Sequence, residues 1–159
     1  MLRQLSADDA LLRLEKLCAR SEQCESELAD KLRKWGVSAS DSERVIDSLR
    51  DRRFVDNSRY AESFVRDKYR FALWGRRKIR FALKAKRISD DLIDRALDCI
   101  DLDEYLRILR HILRRKASGL DDPDSFENRA KLFRFALARG FESDLTAKIL
   151  REKNNSGTD

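Results

Sequence analysis

A dense run of basic residues in the middle of the chain is the feature best suited to chemistry. Between Arg66 and Arg87 the sequence has ten Lys or Arg residues and one acidic residue, Asp67. Aromatic residues are interleaved with these charges: Tyr69, Phe71, Trp74 and Phe81. Guanidinium and ammonium groups bind phosphates, and aromatic rings stack on bases or anchor protein interfaces. The pattern therefore indicates a surface that binds a polyanion or an acidic protein face.

The excess positive charge of the chain is confined to its middle. The 159 residues include 35 Lys or Arg and 29 Asp or Glu, which gives a net charge of +6. Residues 57–120 have 17 basic and 9 acidic residues, a net of +8, while 1–56 and 121–159 each have a net of −1. A solvated helical surface is the alternative explanation, but a run this dense favours partner binding.

Residues for catalysis or metal binding are scarce. His111 is the only histidine, and Cys18, Cys24 and Cys99 lack metal-binding spacing. The sequence has no nucleophile elbow, phosphate-binding glycine loop or paired carboxylates, so we expect no enzymatic activity, no cofactor and no metal. No apolar run approaches the roughly 20 residues of a membrane helix, and the N-terminus has no secretory signal. These features predict a cytoplasmic protein without a membrane partner.

Nine amphipathic helices are predicted to position the basic residues. Five Gly and one Pro are too few for the turns of a strand-rich fold, so the composition indicates an all-α chain. Helical spacing of apolar residues, with Ser, Asp and Gly at the ends, sets the boundaries. The first five helices are predicted at about 7–19, 22–35, 41–53, 58–72 and 76–86, the fourth following the turn Val55-Asp56-Asn57. Four more are predicted to begin after Ser89, Asp101, Asp122 and Ser143.

Local signals predict several caps and core positions. Ser21 and Ser40 are the predicted N-caps of the second and third helices, and Asp122 is that of the eighth. Cys18 and Cys99 are predicted to be small buried residues. The predicted core side of the eighth helix is Phe126, Ala130, Phe133 and Leu137.

The nine helices form three similar triplets. The second helix of each ends in a matching phrase: Trp35-Gly36-Val37, Lys86-Arg87-Ile88 and Arg139-Gly140-Phe141. These junctions are 51 and 53 residues apart, and the alignment places a four-residue insertion around residues 38–41. A unit of about 50 residues buries too little surface to be robust alone, so the repeats are expected to stack. We predict three tandem three-helix repeats, at 7–55, 56–100 and 101–153, that form an elongated, curved array with a disordered tail at 154–159.

The residues at these positions resemble those of the bacterial RecX regulators of the RecA recombinase. The resemblance covers about residues 8–150 and is strongest in Leu49, Phe54-Val55-Asp56, Arg59-Tyr60-Ala61 and Phe64-Val65. The opening signature of the family is matched by Arg20-Ser21, Glu27-Leu28, Lys31-Leu32 and Gly36. Two positions depart from the family pattern: Asn57 replaces an acid and Arg87 replaces a glycine. Asn57 is still able to cap the fourth helix, whereas Arg87 predicts a different end for the fifth.

The resemblance implies a regulatory protein that binds RecA, chiefly as its filament on single-stranded DNA. Members of this family are thought to lie in the filament groove, bridge protomers, and block extension or promote disassembly. The resemblance implies damping of the recombinase, ATPase and co-protease activities of RecA, and hence a role in recombination, DNA repair and the SOS response. It implies no enzymatic activity, and we expect the chain to act as a monomer.

The outer faces of helices 4, 5 and 7 are the predicted contact surface. Basic residues recur there at helical spacing, and Phe81 lies among them instead of on the apolar side. Tyr69, Phe71 and Trp74 are predicted to fill the seam between helices 4 and 5. The predicted RecA- and DNA-binding residues are Arg59, Arg66, Arg70, Arg76, Arg77, Arg80, Phe81, Lys84, Arg87, Arg107, Arg110 and Arg114.

Two other functions fit the same residues. A stand-alone nucleic-acid-binding protein, helix-turn-helix in style, would also present helix triplets with a basic face. A helical scaffold of the solenoid type would require no nucleic acid. An acidic protein groove and a row of phosphates attract the same cations, so both remain open as targets.

Overall fold

The structure, a computed structural model, describes residues 4–155, with side chains to residue 152. This part of the chain has nine α-helices and no strand. The helices are α1 (Ala7–Arg20), α2 (Glu25–Lys34), α3 (Ala39–Asp51), α4 (Asn57–Arg70), α5 (Arg76–Ala85), α6 (Asp90–Asp98), α7 (Leu102–Ala117), α8 (Phe126–Ala138) and α9 (Ser143–Asn155). The all-α prediction is confirmed. Residues 156–159 of the predicted tail lie outside the described residues.

Side chains that accept a backbone N–H mark several helix N-termini. Four of these caps bond the residue three positions on: Ser6 for α1, Ser38 for α3, Asp101 for α7 and Ser125 for α8. The predicted cap at Ser40 is therefore wrong, because Ser38 starts α3 two residues earlier. Ser21 ends α1 instead of starting α2, whose N-cap is Cys24. The predicted start at Asp122 is wrong because Ser125 makes the cap bond.

The three repeats share one register through their second and third helices. The third helix of each begins three residues after a residue in the left-handed region: Gly36, Arg87 and Gly140. The predicted insertion near residues 38–41 is therefore wrong. Val45 corresponds to Ala96 and Ile149, and all three side chains are buried.

The junctions between second and third helices close in the same way in every repeat. The left-handed residue donates its N–H to the carbonyl three positions back, and the next residue donates to the carbonyl five positions back. Arg87 makes this turn at φ +58°, as Gly36 does at +75° and Gly140 at +95°. The expectation that Arg87 changes the end of the fifth helix is wrong, because buried Ile88 anchors the turn as Val37 and Phe141 do.

The chain divides into two compact units, each with its own core. The first unit comprises Met1–Ser63 and Leu83–Ala96, and the second Phe64–Ala82 and Leu97–Asp159. A hydrophobic cluster in the first unit includes Ala10, Leu14, Leu28, Leu32, Val45 and Leu49. Fully buried side chains of the second unit include Tyr69, Ile79, Tyr105, Leu109, Leu113 and Phe141. Because α4, α5 and α6 each contribute to both units, the predicted repeat limits are not the limits of these units.

Some side chains that the sequence assigned to the core lie at the surface. Phe126 is 90% exposed because it starts α8, whereas the buried stripe of that helix is Leu132 and Ala136. Phe71, just after α4, is 81% exposed. The predicted burial of Cys99 and Cys18 is also wrong. Cys99 is exposed and Cys18 half-buried, whereas Cys24 is buried.

Candidate nucleic-acid and protein interface

The predicted contact residues are distributed over both units. Three belong to the first unit: Arg59, Lys84 and Arg87. Nine belong to the second: Arg66, Arg70, Arg76, Arg77, Arg80, Phe81, Arg107, Arg110 and Arg114. Within the described residues, a carboxylate partner is present for Arg59, Arg70, Arg76, Lys84 and Arg110. The predicted set therefore contains cations that support the fold and cations that face solvent.

Arg59 secures the turn before α4. Its Nε donates to Glu22 Oε1 at 2.6 Å, and its Nη2 donates to the carbonyl oxygens of Arg53 at 3.1 Å and Phe54 at 3.4 Å. The hydrogen bond with Glu22 raises the pKa of Arg59. These bonds engage Nε and Nη2 and so tie the guanidinium to the turn.

Arg76 is the centre of a polar cluster in the second unit. Its Nη1 lies 2.8 Å from Glu142 Oε2, and its guanidinium carbon lies 4.2 Å from the ring centroid of Tyr105. Its backbone N–H donates to the Tyr105 hydroxyl at 3.0 Å, and that hydroxyl donates to Glu142. Burial raises the pKa of Tyr105, and the hydrogen bond with Glu142 adds to the rise. The cluster fixes the start of α5 against the start of α9.

Two glycines bring the backbones of the second unit into direct contact. Gly75 N donates to Arg139 O at 2.8 Å, and Arg77 N donates to Gly140 O at 3.0 Å. A Cβ on Gly75 would lie 2.2 Å from the carbonyl carbon of Gly140, which no side chain permits. This contact sets the direction of α5, and with it the position of the basic residues on the outer face of the helix.

Arg70 shares a carboxylate with a buried tyrosine. Its Nε and Nη2 donate to the two oxygens of Glu104 at 3.0 and 3.3 Å, and the Tyr69 hydroxyl donates to Oε2 at 3.1 Å. Burial, followed by this hydrogen bond, raises the pKa of Tyr69. Tyr69 is thus a core residue, as the sequence predicted.

Several predicted arginines remain exposed. Among the described residues of the second unit, no ion pair or side-chain hydrogen bond is made by Arg66, Arg77, Arg107 and Arg114. Phe81 is 78% exposed and lies one helical turn from Arg77 on α5, and Arg107 and Arg114 lie two turns apart on α7. Arg87, in the first unit, is likewise exposed. These side chains can reach a phosphate or a carboxylate of a partner without breaking a contact.

The structure adds a pair of lysines that the sequence analysis missed. Lys68 Nζ lies 4.7 Å and Lys78 Nζ 4.5 Å from the ring centroid of Trp74, which is part-buried in the loop between α4 and α5. Trp74 therefore carries a cation near its ring from each of the flanking helices. Its position just before Gly75, with Lys78 one helical turn later, was the signal that could have found this group.

No helix among the described residues is long and apolar enough to cross a membrane. In the same part of the chain, no group of three or more His, Cys, Asp or Glu side chains could hold a metal ion. The geometry of the described side chains is thus that of a cationic and aromatic surface on a helical frame.

Comparisons with known proteins agree with the division into three repeats. Models of the first, second and third three-helix domains of RecX match residues 10–49, 56–97 and 103–150. The regulatory protein RecX of Clostridium botulinum (strain Eklund 17B / Type B) is 29% identical, over 97% of this chain and 74% of the relative. That of Vibrio campbellii is 31% identical, over 88% of this chain and 86% of the relative.

A solved structure has the same fold. The crystal structure of RecX from Lactobacillus salivarius superposes with a TM-score of 0.82 over 92% of this chain and 95% of that chain, at 22% identity. The prediction of tandem three-helix repeats is confirmed. Because the family models match most of the chain, one repeat after another, the chain belongs to the RecX family of regulatory proteins.

Proposed function

We propose that this chain regulates the RecA recombinase by binding the RecA filament on single-stranded DNA. Membership of the RecX family supports the regulatory role. The observation that carries the proposal is that four cations of the second unit, Arg66, Arg77, Arg107 and Arg114, are exposed, as is Phe81. These five residues are called the basic surface. Such cations suit an acidic protein groove as well as phosphates, and a nucleoprotein filament offers both.

In this proposal the chain acts by binding and catalyses no reaction. It works as a monomer in the cytoplasm, lies in the filament groove and bridges neighbouring RecA protomers. By blocking filament extension it damps the recombinase, ATPase and co-protease activities. A bound regulator shifts the equilibrium between two filament states only as far as its affinities for those states differ. The size of the effect also depends on the amount bound.

The twelve predicted residues divide into three roles in this proposal. Arg59, Arg70 and Arg76 hold the fold. Lys84 and Arg110 form exposed ion pairs, each with N···O distances of 3.3 Å, and such pairs contribute only about 0–1 kcal/mol and exchange readily for a partner. The direct contacts come from the exposed side chains of Arg66, Arg77, Phe81, Arg87, Arg107 and Arg114, together with Arg80, which is half-buried and keeps a contact within the chain.

The test is RecA's DNA-stimulated ATP hydrolysis, titrated with this chain. We expect inhibition at substoichiometric amounts. The triple variant Arg66→Glu, Arg77→Glu, Arg107→Glu should need at least about tenfold more protein for the same inhibition, because removing rim charges lowers both encounter rate and affinity. The matched control reverses three exposed cations of the first unit, Lys16, Arg20 and Lys34, and should inhibit as the unmodified chain does.

Unchanged hydrolysis across a wide titration would contradict the proposal. Equal loss of inhibition in both triple variants would mean that inhibition depends on the net charge of the chain and not on the basic surface of the second unit. Tight, sequence-selective DNA binding in the absence of RecA would support the stand-alone nucleic-acid binder instead.

A further inference from the structure

A cleft in the second unit has three cations in its wall and no acid. It has a volume of about 310 Å³ and is lined by Leu73, Ile112, Arg115, Lys116, Phe135 and Arg139. Within the described part of the chain, no carboxylate pairs with Arg115, Lys116 or Arg139. Three uncompensated cations around an apolar floor form a local positive potential that favours an anionic ligand.

One of the three cations is fixed and the other two are accessible. Arg139 Nη2 donates to Ala72 O at 2.8 Å and its Nε to Leu73 O at 3.3 Å, which holds the guanidinium against the loop. The guanidinium carbon of Arg139 lies 5.8 Å, and Lys116 Nζ 5.3 Å, from the ring centroid of Phe135. Arg115 and Lys116 are exposed in the last turn of α7, where an anion can reach them.

The loop that forms the cleft wall carries exposed aromatic surface. Leu73 adopts φ +59°, which is rare for a side chain of this size and is held by the bonds from Arg139. Two residues earlier Phe71 is 81% exposed, and one residue later Trp74 lies between Lys68 and Lys78. The loop thus presents the exposed ring of Phe71, and the ammonium groups of the two flanking helices lie beside the part-buried ring of Trp74. Aromatic rings next to cations are a combination that single-stranded nucleic acids bind.

We propose that this cleft binds single-stranded DNA. Arg115 and Lys116 contact a backbone phosphate, and one base lies on the apolar floor of Leu73, Ile112 and Phe135. The neighbouring base stacks on Phe71. A purely acidic peptide such as polyaspartate would use the cations but not the floor or the ring, so the combination favours a nucleotide strand. The inference rests on the proposed function, since it takes the DNA of the RecA filament as the ligand of the cleft.

The experiment measures fluorescence anisotropy of a labelled oligothymidine strand of about 20 nucleotides with the full chain and without RecA. The double variant Arg115→Glu, Lys116→Glu should bind at least about tenfold more weakly. Phe71→Ala should bind about fivefold more weakly, because a stacking contact is lost. The control Arg20→Glu, Lys34→Glu has the same charge change in the first unit and should bind within about threefold of the unmodified chain.

Equal weakening in both double variants, or unchanged binding by the cleft variant, overturns the inference. The inference is also overturned if polyaspartate releases the labelled strand as effectively as unlabelled strand does. That result would assign the cleft to an acidic peptide. Circular dichroism verifies that each variant is folded. If the double reversal unfolds, Arg115→Gln and Phe71→Ala, both at exposed positions, test the same contacts.

RecA inhibition by the same variants separates this inference from the proposed function. A cleft variant that binds the strand normally overturns the cleft assignment, even where the unmodified chain inhibits RecA. An unmodified chain that binds the strand through the cleft but leaves RecA's hydrolysis unchanged overturns the proposed function alone.

Discussion

The fold raises the pKa of the hydroxyl group of each of the three tyrosines. Burial raises the pKa of Tyr60 to about 12. It also raises the pKa values of Tyr69 and Tyr105, whose hydroxyls donate to Glu104 and Glu142. A phenolate in these positions would lose its solvation and stand near a carboxylate, so ionisation is disfavoured in the folded chain.

This arrangement predicts loss of stability in alkaline solution. In the unfolded chain a tyrosine loses its proton at a pH of about 10, whereas the folded chain retains it. Above that pH the unfolded state binds fewer protons than the folded state, so the free energy of unfolding falls as the pH rises toward about 12. Tyrosinate absorbance of the folded chain should therefore rise at a higher pH than the value of about 10 at which the unfolded chain ionises.

The control for the titration is the same chain in concentrated guanidinium chloride, where all tyrosines should ionise at a pH of about 10. Gradual ionisation near that pH with the helical signal intact would contradict the burial of these hydroxyls.

The sequence assigned the same role to arginines that have different roles in the fold. Arg59 and Arg66 lie on α4 and follow the same basic pattern, yet Arg59 binds Glu22 and two carbonyls while Arg66 is exposed. Glu22 is 37 positions from Arg59. A helical repeat reports which face a residue shares, but not which distant carboxylate packs against it. The basic surface was therefore predictable and its division into structural and exposed cations was not.

Asn57 shows the same limit for a cap. The sequence placed it at the start of α4, but Asp56 provides that cap by accepting from Arg59 N at 3.0 Å. Asn57 Oδ1 instead accepts from Glu25 N at 3.0 Å and so caps α2. A cap formed between distant segments has no local spacing that reveals it.

Among the elements, the start of α5 lies in direct backbone contact with the α8–α9 junction. Gly75→Ala should lower the free energy of unfolding by at least about 2 kcal/mol, because the new methyl group meets the backbone of Gly140. Gly119→Ala is the matched control: its Cβ would lie 3.7 Å from Lys116 O, so a change within about 0.5 kcal/mol is expected. Urea unfolding monitored by circular dichroism measures both, and equal effects would contradict the contact.

The error in aligning the repeats has a simple geometric cause. A slip of four residues is about one helical turn, so Leu145 and Ile149 lie on nearly the same face, and an apolar stripe does not register the slip. The cap position does register it. Ser38 follows Gly36 by two residues as Ser89 follows Arg87, and each accepts a backbone N–H at the start of its third helix. The left-handed junction residue and the N-cap serine together define the alignment of the repeats, which the apolar stripe alone does not.

The sequence predicted the fold class of the whole molecule better than it predicted the division of the chain into compact units. The scarcity of Gly and Pro predicted the all-α class, apolar spacing and end signals predicted the nine helices of the described chain, and the junction phrases predicted the repeats. The two compact units were not predicted, because their limits fall inside α4, α5 and α6. Contacts between segments distant in sequence define these units, and no composition change marks them.

The charge distribution of the whole molecule predicts that filament binding weakens as salt rises. Residues 57–120 contain 17 basic and 9 acidic residues, and each cation placed on a phosphate releases a counterion. On single-stranded DNA a fourfold rise in salt should lower affinity by roughly 2.6-fold per phosphate contact. Co-sedimentation with preformed RecA filaments at several KCl concentrations measures the slope of log affinity against log salt concentration.

The triple reversal of Arg66, Arg77 and Arg107 should flatten this slope, whereas the reversal of Lys16, Arg20 and Lys34 should not. A slope that is the same for all three proteins would place the contact elsewhere on the chain.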